Sequence, residues 1–342
     1  MIQIQHRRLK FKVPSGTARG ILKEKDSWFL QINNGLKSGI GECSIIEGLS
    51  IESAEQISEV LNQINHEVNT SISFEKFTNW PAIKFAIEMA MKDLENEGKH
   101  ILYPSAFTEN NIGIPINGLV WMGEKKFMYN QIVEKIEDGY KCIKIKIAAI
   151  NFNDELDLLK YIRQHFSATE IEIRVDANGG FDVTQALEKL KVLSKYELHS
   201  IEQPIAVNQY DEMAKLCELS PLDIALDEEL IGYNSIEEKE KLLHTVKPQY
   251  IILKPSLVGG FRASEEWITS AEKLNIGWWI TSALESNIGL NAIAQWTASL
   301  DTHMFQGLGT GQLFTNNVTS PLYIKEGHLY YGQNTWETIF AQ

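Results

Sequence analysis

Residues 141–150 read Lys-Cys-Ile-Lys-Ile-Lys-Ile-Ala-Ala-Ile, "KCIKIKIAAI". The alternation marks a strand. Ile143, Ile145 and Ile147 share one face, and Cys142, Lys144, Lys146 and Ala148 share the other. Taken alone, such a stretch is ordinarily a half-exposed strand with its lysines in water. The fold turns on whether this strand has a wet face at all.

Its neighbours answer that. From about residue 112 onward, short apolar runs recur: 114–120, 141–147, 171–177, 199–204, 223–228, 250–255, 277–282 and 303–308. Between them lie amphipathic stretches such as DELDLLKYIRQHF and RASEEWITSAEKL. Repeated βα units predict an α/β fold, a (β/α)8-type TIM barrel. A doubly wound sheet is the structural alternative, but it usually stops at about five or six strands. Barrel strands are covered by helices outside and filled by side chains inside, so neither face is wet.

The first hundred residues read differently. Strands are expected over 2–13, 21–33 and 37–46, the last two joined by the turn signal Asn33-Asn34-Gly35. Two helices follow. One starts near Ser50 and turns Ile57, Leu61 and Ile64 inward; the other has Pro81 in its first turn and stops at Gly98. The tail, PLYIKEGHLYYG (321–332), reads as a hairpin turning at Glu326-Gly327 that pairs back onto the N-terminal sheet. The expected domains are an α+β capping domain (1–108), the barrel (109–314) and a C-terminal segment returning to the cap (315–342).

Composition narrows the function. The chain has 342 residues, 44% of them hydrophobic, with 32 basic and 45 acidic side chains and a formal net charge of −13. That balance disfavours nucleic acid and anionic membranes as partners. Cys43, Cys142 and Cys217 are far apart and show no C-x-x-C spacing, which fits a reducing cytoplasm rather than a disulfide framework or zinc cluster. The start, MIQIQHRRLKF, lacks the apolar run of a signal peptide, and no stretch has the ~20 apolar residues of a membrane helix. A cytoplasmic enzyme is expected; the sequence leaves homo-oligomerisation open.

A charge on a barrel strand is costly unless it is paired or sits at the mouth. Lys144 and Lys146 close the second strand, Asp176 the third, Glu202 the fourth, Asp227 the fifth and Lys254 the sixth. From Lys146 onward the intervals are 30, 26, 25 and 27 residues, one βα unit each time. All therefore fall at the C-terminal rim, where barrel active sites are built. Three carboxylates on adjacent strands, ~4.8 Å apart, can converge on one cation. All-oxygen ligation suits Mg²⁺, with Mn²⁺ as a substitute, and the lack of His or Cys argues against zinc. Lysines on both sides of such a metal can remove a proton from a carbon next to a carboxylate. Mutual repulsion between Lys144 and Lys146, near a dication and partly desolvated, is expected to lower their pKa values.

At this point the sequence resembles the enolase superfamily, in its muconate-lactonizing subgroup. The matching motifs cover residues 141–147, 174–180, 201–204, 226–228 and 253–260, and the resemblance spans nearly the whole chain. It implies a cap whose loops, Pro14–Gly20 (with Arg19) and Cys43–Ser50, close the barrel mouth over a small carboxylate substrate. GIGECSIIEGLS (39–50), TSALESNIGL (281–290) and GLGTGQLF (307–314) point further. They resemble the branch that dehydrates 2-succinyl-6-hydroxy-2,4-cyclohexadiene-1-carboxylate in menaquinone biosynthesis.

The resemblance implies that Lys146 is the base, that Lys254 stabilises the enediolate from the opposite face, and that Lys144 assists electrostatically. It also implies that Asp176, Glu202 and Asp227 hold Mg²⁺. Ser282, Ser286, Gly309 and Thr310 are candidates for binding the succinyl carboxylate through exposed N–H groups; plain helix capping by Ser286 is the competing reading. Asn178 orients a metal ligand or the substrate, or is simply a turn residue before Gly179-Gly180. The Asp-x-Asp that dipeptide epimerases of the subgroup carry at the eighth strand is missing, and Asp301 and His303 do not replace it. Racemization of N-acylamino acids needs the same lysines and metal, so it stays open, as does a cycloisomerase. A non-catalytic binding barrel would be expected to lose one of the six ionisable residues, and none is lost.

Overall fold

The computed structural model describes residues 2–17, 20–66 and 74–340. Its first part is an antiparallel sheet of β1 (Ile2–Thr17), β2 (Gly20–Asn33) and β3 (Ser38–Ser44), followed by α1 (Ala54–His66) and α2 (Pro81–Glu95). The expected loop at Pro14–Gly20 is largely strand: Ser15, Gly16 and Thr17 pair with Leu22, Ile21 and Gly20, past an irregularity after Lys10. Arg19 lies outside the described residues.

α1 begins at Ala54, not near Ser50. The Ser53 hydroxyl accepts from the Gln56 N–H at 3.3 Å, and Gln56 Oε1 accepts from the Ser53 N–H at 2.9 Å. This reciprocal cap satisfies two otherwise orphaned donors. Ser50 is used elsewhere, its hydroxyl accepting from the Ile46 N–H. β3 lies directly on α2: a Cβ at Gly41 would sit 1.9 Å from the Ala86 carbonyl oxygen, and one at Gly39 2.0 Å from that of Ala90. The close approach builds a cap core from Trp28, Leu30, Ile57, Leu61, Ile64, Ile83 and Ile87.

The chain then passes through β4 (Ile114–Pro115) into parallel strands and helices. In order these are β5 (Gly118–Val120), α3 (Lys125–Glu137), β6 (Cys142–Lys146), α4 (Phe152–His165), β7 (Glu172–Asp176), α5 (Val183–Leu193), β8 (Ser200–Glu202), α6 (Tyr210–Leu219) and β9 (Ile224–Leu226). α7 (Ile236–Val246), β10 (Tyr250–Leu253), α8 (Pro255–Val258), α9 (Gly260–Glu272), β11 (Gly277–Ile280) and α10 (Asn287–Ala298) follow. β5 through β11 form one sheet in sequential order, every pair parallel. The eighth strand, expected over 303–308, is reduced to two bridges. Gln306 pairs with Ile116 and Gly307 with Thr281, both parallel, and they join the two ends of the sheet. The Asn117 N–H donates to the Gln306 carbonyl (3.0 Å) and the Gly307 N–H to that of Ile280 (2.7 Å). The (β/α)8-type barrel closes on these bonds.

The tail forms β12 (Leu322–Lys325) and β13 (His328–Tyr331). Glu326 and Gly327 both have positive φ, 49° and 68°, as a two-residue hairpin turn requires. This hairpin pairs with β4 and not, as expected, with the N-terminal sheet. The segment just before it makes that connection instead. The Lys12 N–H donates to the Leu313 carbonyl and the Thr315 N–H to that of Lys10, both at 2.8 Å. β2 covers one edge of β1, and the other edge takes this short segment.

Candidate active site

The opening strand has no solvent face: Cys142, Ile143, Lys144 and Ile145 are all buried. The ladder pairs Lys146 with Asp176 and Asp176 with Glu202. Each of these residues ends its strand, while Asp227 and Lys254 directly follow theirs. Side-chain oxygens of Asp176, Glu202 and Asp227 lie within 4.8 Å of one another. The Lys144 ammonium contacts Asp176 (3.0 Å) and Glu202; that of Lys146 reaches Asp176 at 2.9 Å and Asn178 Oδ1 at 2.6 Å; that of Lys254 reaches Asp227 at 2.6 Å. The rim thus brings together the three lysines and three acids expected there.

Burial sets the electrostatics. It pushes Glu202 up to about 7 and raises Asp227, with the neighbouring carboxylates adding to both shifts and Lys144 and Lys254 opposing them. Burial alone would also raise Asp176, but Lys144 and Lys146 reverse the sign and hold it well below the usual range. Lys144 differs from expectation. Burial would lower its pKa, yet Asp176, Glu202 and Asp227 outweigh burial and raise it. Lys254 is raised in the same way, chiefly by Asp227 and Glu228. The attraction of nearby carboxylates exceeds the repulsion between lysines, so Lys144 is held charged.

This crowding of buried carboxylates fits a metal site. Glu202 Oε1 is buried with no hydrogen-bond partner, an expensive arrangement for a carboxylate oxygen. The donor set is all oxygen, as hard divalent cations prefer. The triad can hold a metal ion.

Of the supports around this rim, sequence reasoning picked out Asn178 and missed Gln203, Glu228 and Glu229. Asn178, at φ 45°, accepts from Lys146 and donates its amide to Glu228 Oε1 at 2.9 Å, linking the third and fifth strand ends. Gln203, buried at φ 37°, donates to Glu229 and accepts from the N–H groups of Asp227 and Glu229. The only sequence signal was the extra acids in DEE, 227–229.

The seventh and eighth strand ends depart from expectation. Ser286 is fully buried, and its N–H and hydroxyl donate to Glu42 at 2.8 and 2.6 Å; Gly289 N–H donates to the same carboxylate at 2.8 Å. The anion at the N-terminus of α10 is therefore the chain's own Glu42, from β3. It satisfies free N–H groups and the helix dipole. Ser286 also caps α10, accepting from the Ile288 N–H. A Cβ at Gly289 would lie 2.6 Å from Glu285 Cβ and 3.0 Å from Glu42 Oε2, so the cradle has room only for glycine. Ser282 is likewise spent inside the protein: its N–H donates to Gly307, and its hydroxyl donates to Glu285 (2.5 Å) and accepts from Thr310 (2.8 Å). Gly309 begins a short 3-10 turn, Gly309–Gln312, beside Thr310. Asp301 and His303 are exposed.

The cap is close at hand. Leu9, Phe11, Leu22 and Ile46 of the cap form one apolar cluster with Trp121, Leu284, Leu313 and Phe314 of the first, seventh and eighth strand loops. Among the described residues no helix is long and apolar enough to cross a membrane.

The family model described as "Enolase C-terminal domain-like" matches residues 128–333. An o-succinylbenzoate synthase of Desulfotalea psychrophila is 46% identical, covering 96% of this chain and 98% of its own. The crystal structure of MenC from Desulfotalea psychrophila LSv54 superposes with a TM-score of 0.86 at 43% identity, covering 96% and 99%. A muconate lactonizing enzyme from Pseudomonas fluorescens, solved with muconolactone, has a TM-score of 0.80 at 21% identity over 96% and 93%, a likeness of fold. With a matched family model over more than half its length and a relative of this identity end to end, the chain belongs to the enolase superfamily.

Proposed function

We propose that the chain is an o-succinylbenzoate synthase, a hydro-lyase of menaquinone biosynthesis acting on a small carboxylate substrate. The observation that carries this reading is the end-to-end 46% identity to a synthase of that name, joined to a rim whose lysines lie on both sides of a buried acidic triad. The substrate is 2-succinyl-6-hydroxy-2,4-cyclohexadiene-1-carboxylate and the products are 2-succinylbenzoate and water.

Asp176, Glu202 and Asp227 would hold Mg²⁺. When bound there, the dication would offset the carboxylates that keep Lys144 and Lys254 charged and supply positive charge beside the substrate carboxylate. Neutral Lys146 takes the proton from C1, next to the carboxylate. The electron pair left behind spreads into the carboxylate, and the Lys254 ammonium, across the triad, stabilises that charge. The pair then returns to form the ring double bond as the C6–O bond breaks. Lys146 hands its proton to the departing hydroxyl, so water leaves, the ring becomes aromatic, and the base is regenerated. Charged Lys144, two residues away on the same strand face, assists electrostatically beside the substrate carboxylate. Asn178 orients the Lys146 amine. Gly309 and Thr310 are proposed to line the substrate site at the eighth strand end. The cap is taken as residues 1–108 with the segment from 315 onward.

Racemization of N-succinylamino acids is the second reading. It needs the same two-sided lysines, and an N-succinylamino acid racemase of Thermus thermophilus is 31% identical over 46% of this chain. Assaying the cyclohexadiene carboxylate beside a panel of N-succinylamino acids separates the readings. Mg²⁺-dependent appearance of aromatic 2-succinylbenzoate supports the synthase; racemization without aromatisation sinks it.

A further inference from the structure

Two charged cap residues are buried where the cap meets the barrel, and the proposed reaction uses neither. Glu42 caps α10, as described. Lys25, from β2, is 7% exposed and reaches the loop after β11. Its ammonium donates to Ser44 Oγ at 2.5 Å, to the Leu284 carbonyl at 2.8 Å and to that of Ala283 at 3.3 Å. A buried lysine costs stability unless its charge and protons are matched. Three acceptors use its three protons, and Glu285 and Glu42 supply opposing charge.

The grip falls on a strained residue. Leu284 has φ +62°, a left-handed conformation that a branched non-glycine residue adopts only when its surroundings hold it there. Two features hold it there: Lys25 on its carbonyl, and burial of its side chain among Leu9, Phe11 and Phe314. The next residue is Glu285, fully buried, which accepts from Ser282 Oγ and from Ser256 Oγ, both at 2.5 Å. Ser256 lies two residues beyond Lys254. A continuous set of contacts therefore runs from β2 of the cap, through the left-handed turn, to the segment that carries Lys254.

We propose that Lys25 is a positioning residue: by holding the Ala283 and Leu284 carbonyls it fixes the left-handed turn that aims Glu285 at Ser256 and Ser282, and so sets the strand-six end with Lys254. The effect on turnover rests on the synthase reading; the effect on the loop does not. Misplacement of a catalytic group by about an ångström can cost ~100-fold in rate.

The test is Lys25→Met, which keeps length and removes the donors, read in two ways. By hydrogen–deuterium exchange, amides of 283–289 should lose protection while the strands of the barrel keep theirs. By steady-state kinetics with the cyclohexadiene carboxylate, kcat should fall ~10–100-fold while KM changes less than ~3-fold, with Mg²⁺ affinity unchanged. Lys25→Gln, which retains amide donors without a buried charge, should fall between, and it serves if the methionine variant does not fold. Unchanged exchange at 283–289 in a folded variant overturns the inference, as does protection lost evenly across the molecule. If wild type does not aromatise the substrate but the local exchange change is seen, the synthase reading fails and the loop assignment stands.

Discussion

The two halves of the barrel rim are built by different means. From the second to the fifth strand, the reactive groups are the strand ends themselves: Lys146, Asp176 and Glu202 are in register across adjacent strands. Beyond Lys254, which directly follows the sixth strand and faces Asp227, the rim from the sixth to the eighth strand is shaped by partners far away in sequence. Glu42 and Lys25 come from the cap, and Glu88 of α2 accepts from the Phe261 N–H at the start of α9 at 2.6 Å. The first half concentrates like charges that raise Glu202 and Asp227. The second half spreads its buried carboxylates over hydroxyls and backbone N–H groups. Chemistry needs the first arrangement, in which charge is left for a cation and a substrate. Loop placement needs the second, in which every charge is spent.

That contrast can be broken or sharpened by experiment. The largest effect should come from metal removal: EDTA treatment is expected to abolish turnover, and added Mg²⁺ or Mn²⁺ to restore it. Activity that survives chelation removes the triad from the chemistry, and the first half becomes a purely structural cluster.

On the second half, Glu88 is pushed up to about 7 by burial, against its bond from Phe261. The folded protein then binds this proton more tightly than the unfolded chain. Its contribution favours the fold below the unfolded value of about 4.5 and is lost as pH rises through about 7. Comparing denaturation midpoints of wild type and Glu88→Gln from pH 5 to 8 should show a steeper fall in wild type, up to ~3 kcal/mol in total. Parallel pH profiles would show that the α9 end does not depend on this carboxylate.

Gly289→Ala should cost ~1–3 kcal/mol of stability, because the new methyl enters the Glu42 cradle. It should leave Mg²⁺ affinity alone, which calorimetry can check. Ser53→Ala marks the bottom of the scale. It removes the α1 cap far from both halves and should cost ~1 kcal/mol in melting experiments with no change in kcat.

The same contrast explains what the sequence disclosed. The first half was legible because barrel strands have no wet face, so period-two alternation and unit spacing alone place Lys144 through Lys254 at one rim. The β1–β2 ladder ran four residues further than expected toward the hairpin end, and the tail hairpin chose β4. Strand pairing partners are set by which edges are free, which no local pattern states. Ser286 was read correctly as a helix start, but its anion is Glu42, 244 residues earlier in the chain. The Gly-Glu of residues 41–42 gave no hint, because a lone acid in a strand has no period. Lys25 was hidden in the same way within a polar stretch, LKEKDS. For Lys144 the sequence argument weighed the neighbouring lysine and a dication, both of which lower its pKa, and left out the three buried carboxylates that raise it.

The most direct measurement is product formation by Lys146→Ala under saturating Mg²⁺, followed by the aromatic absorbance of 2-succinylbenzoate beside wild type. Loss of a positioned general base costs ~10²–10⁴-fold, so the variant should make essentially no product while still binding Mn²⁺ at the triad. A folded, metal-binding variant that keeps turnover within ~10-fold of wild type, less than loss of such a base allows, would contradict the assignment of Lys146 as the base.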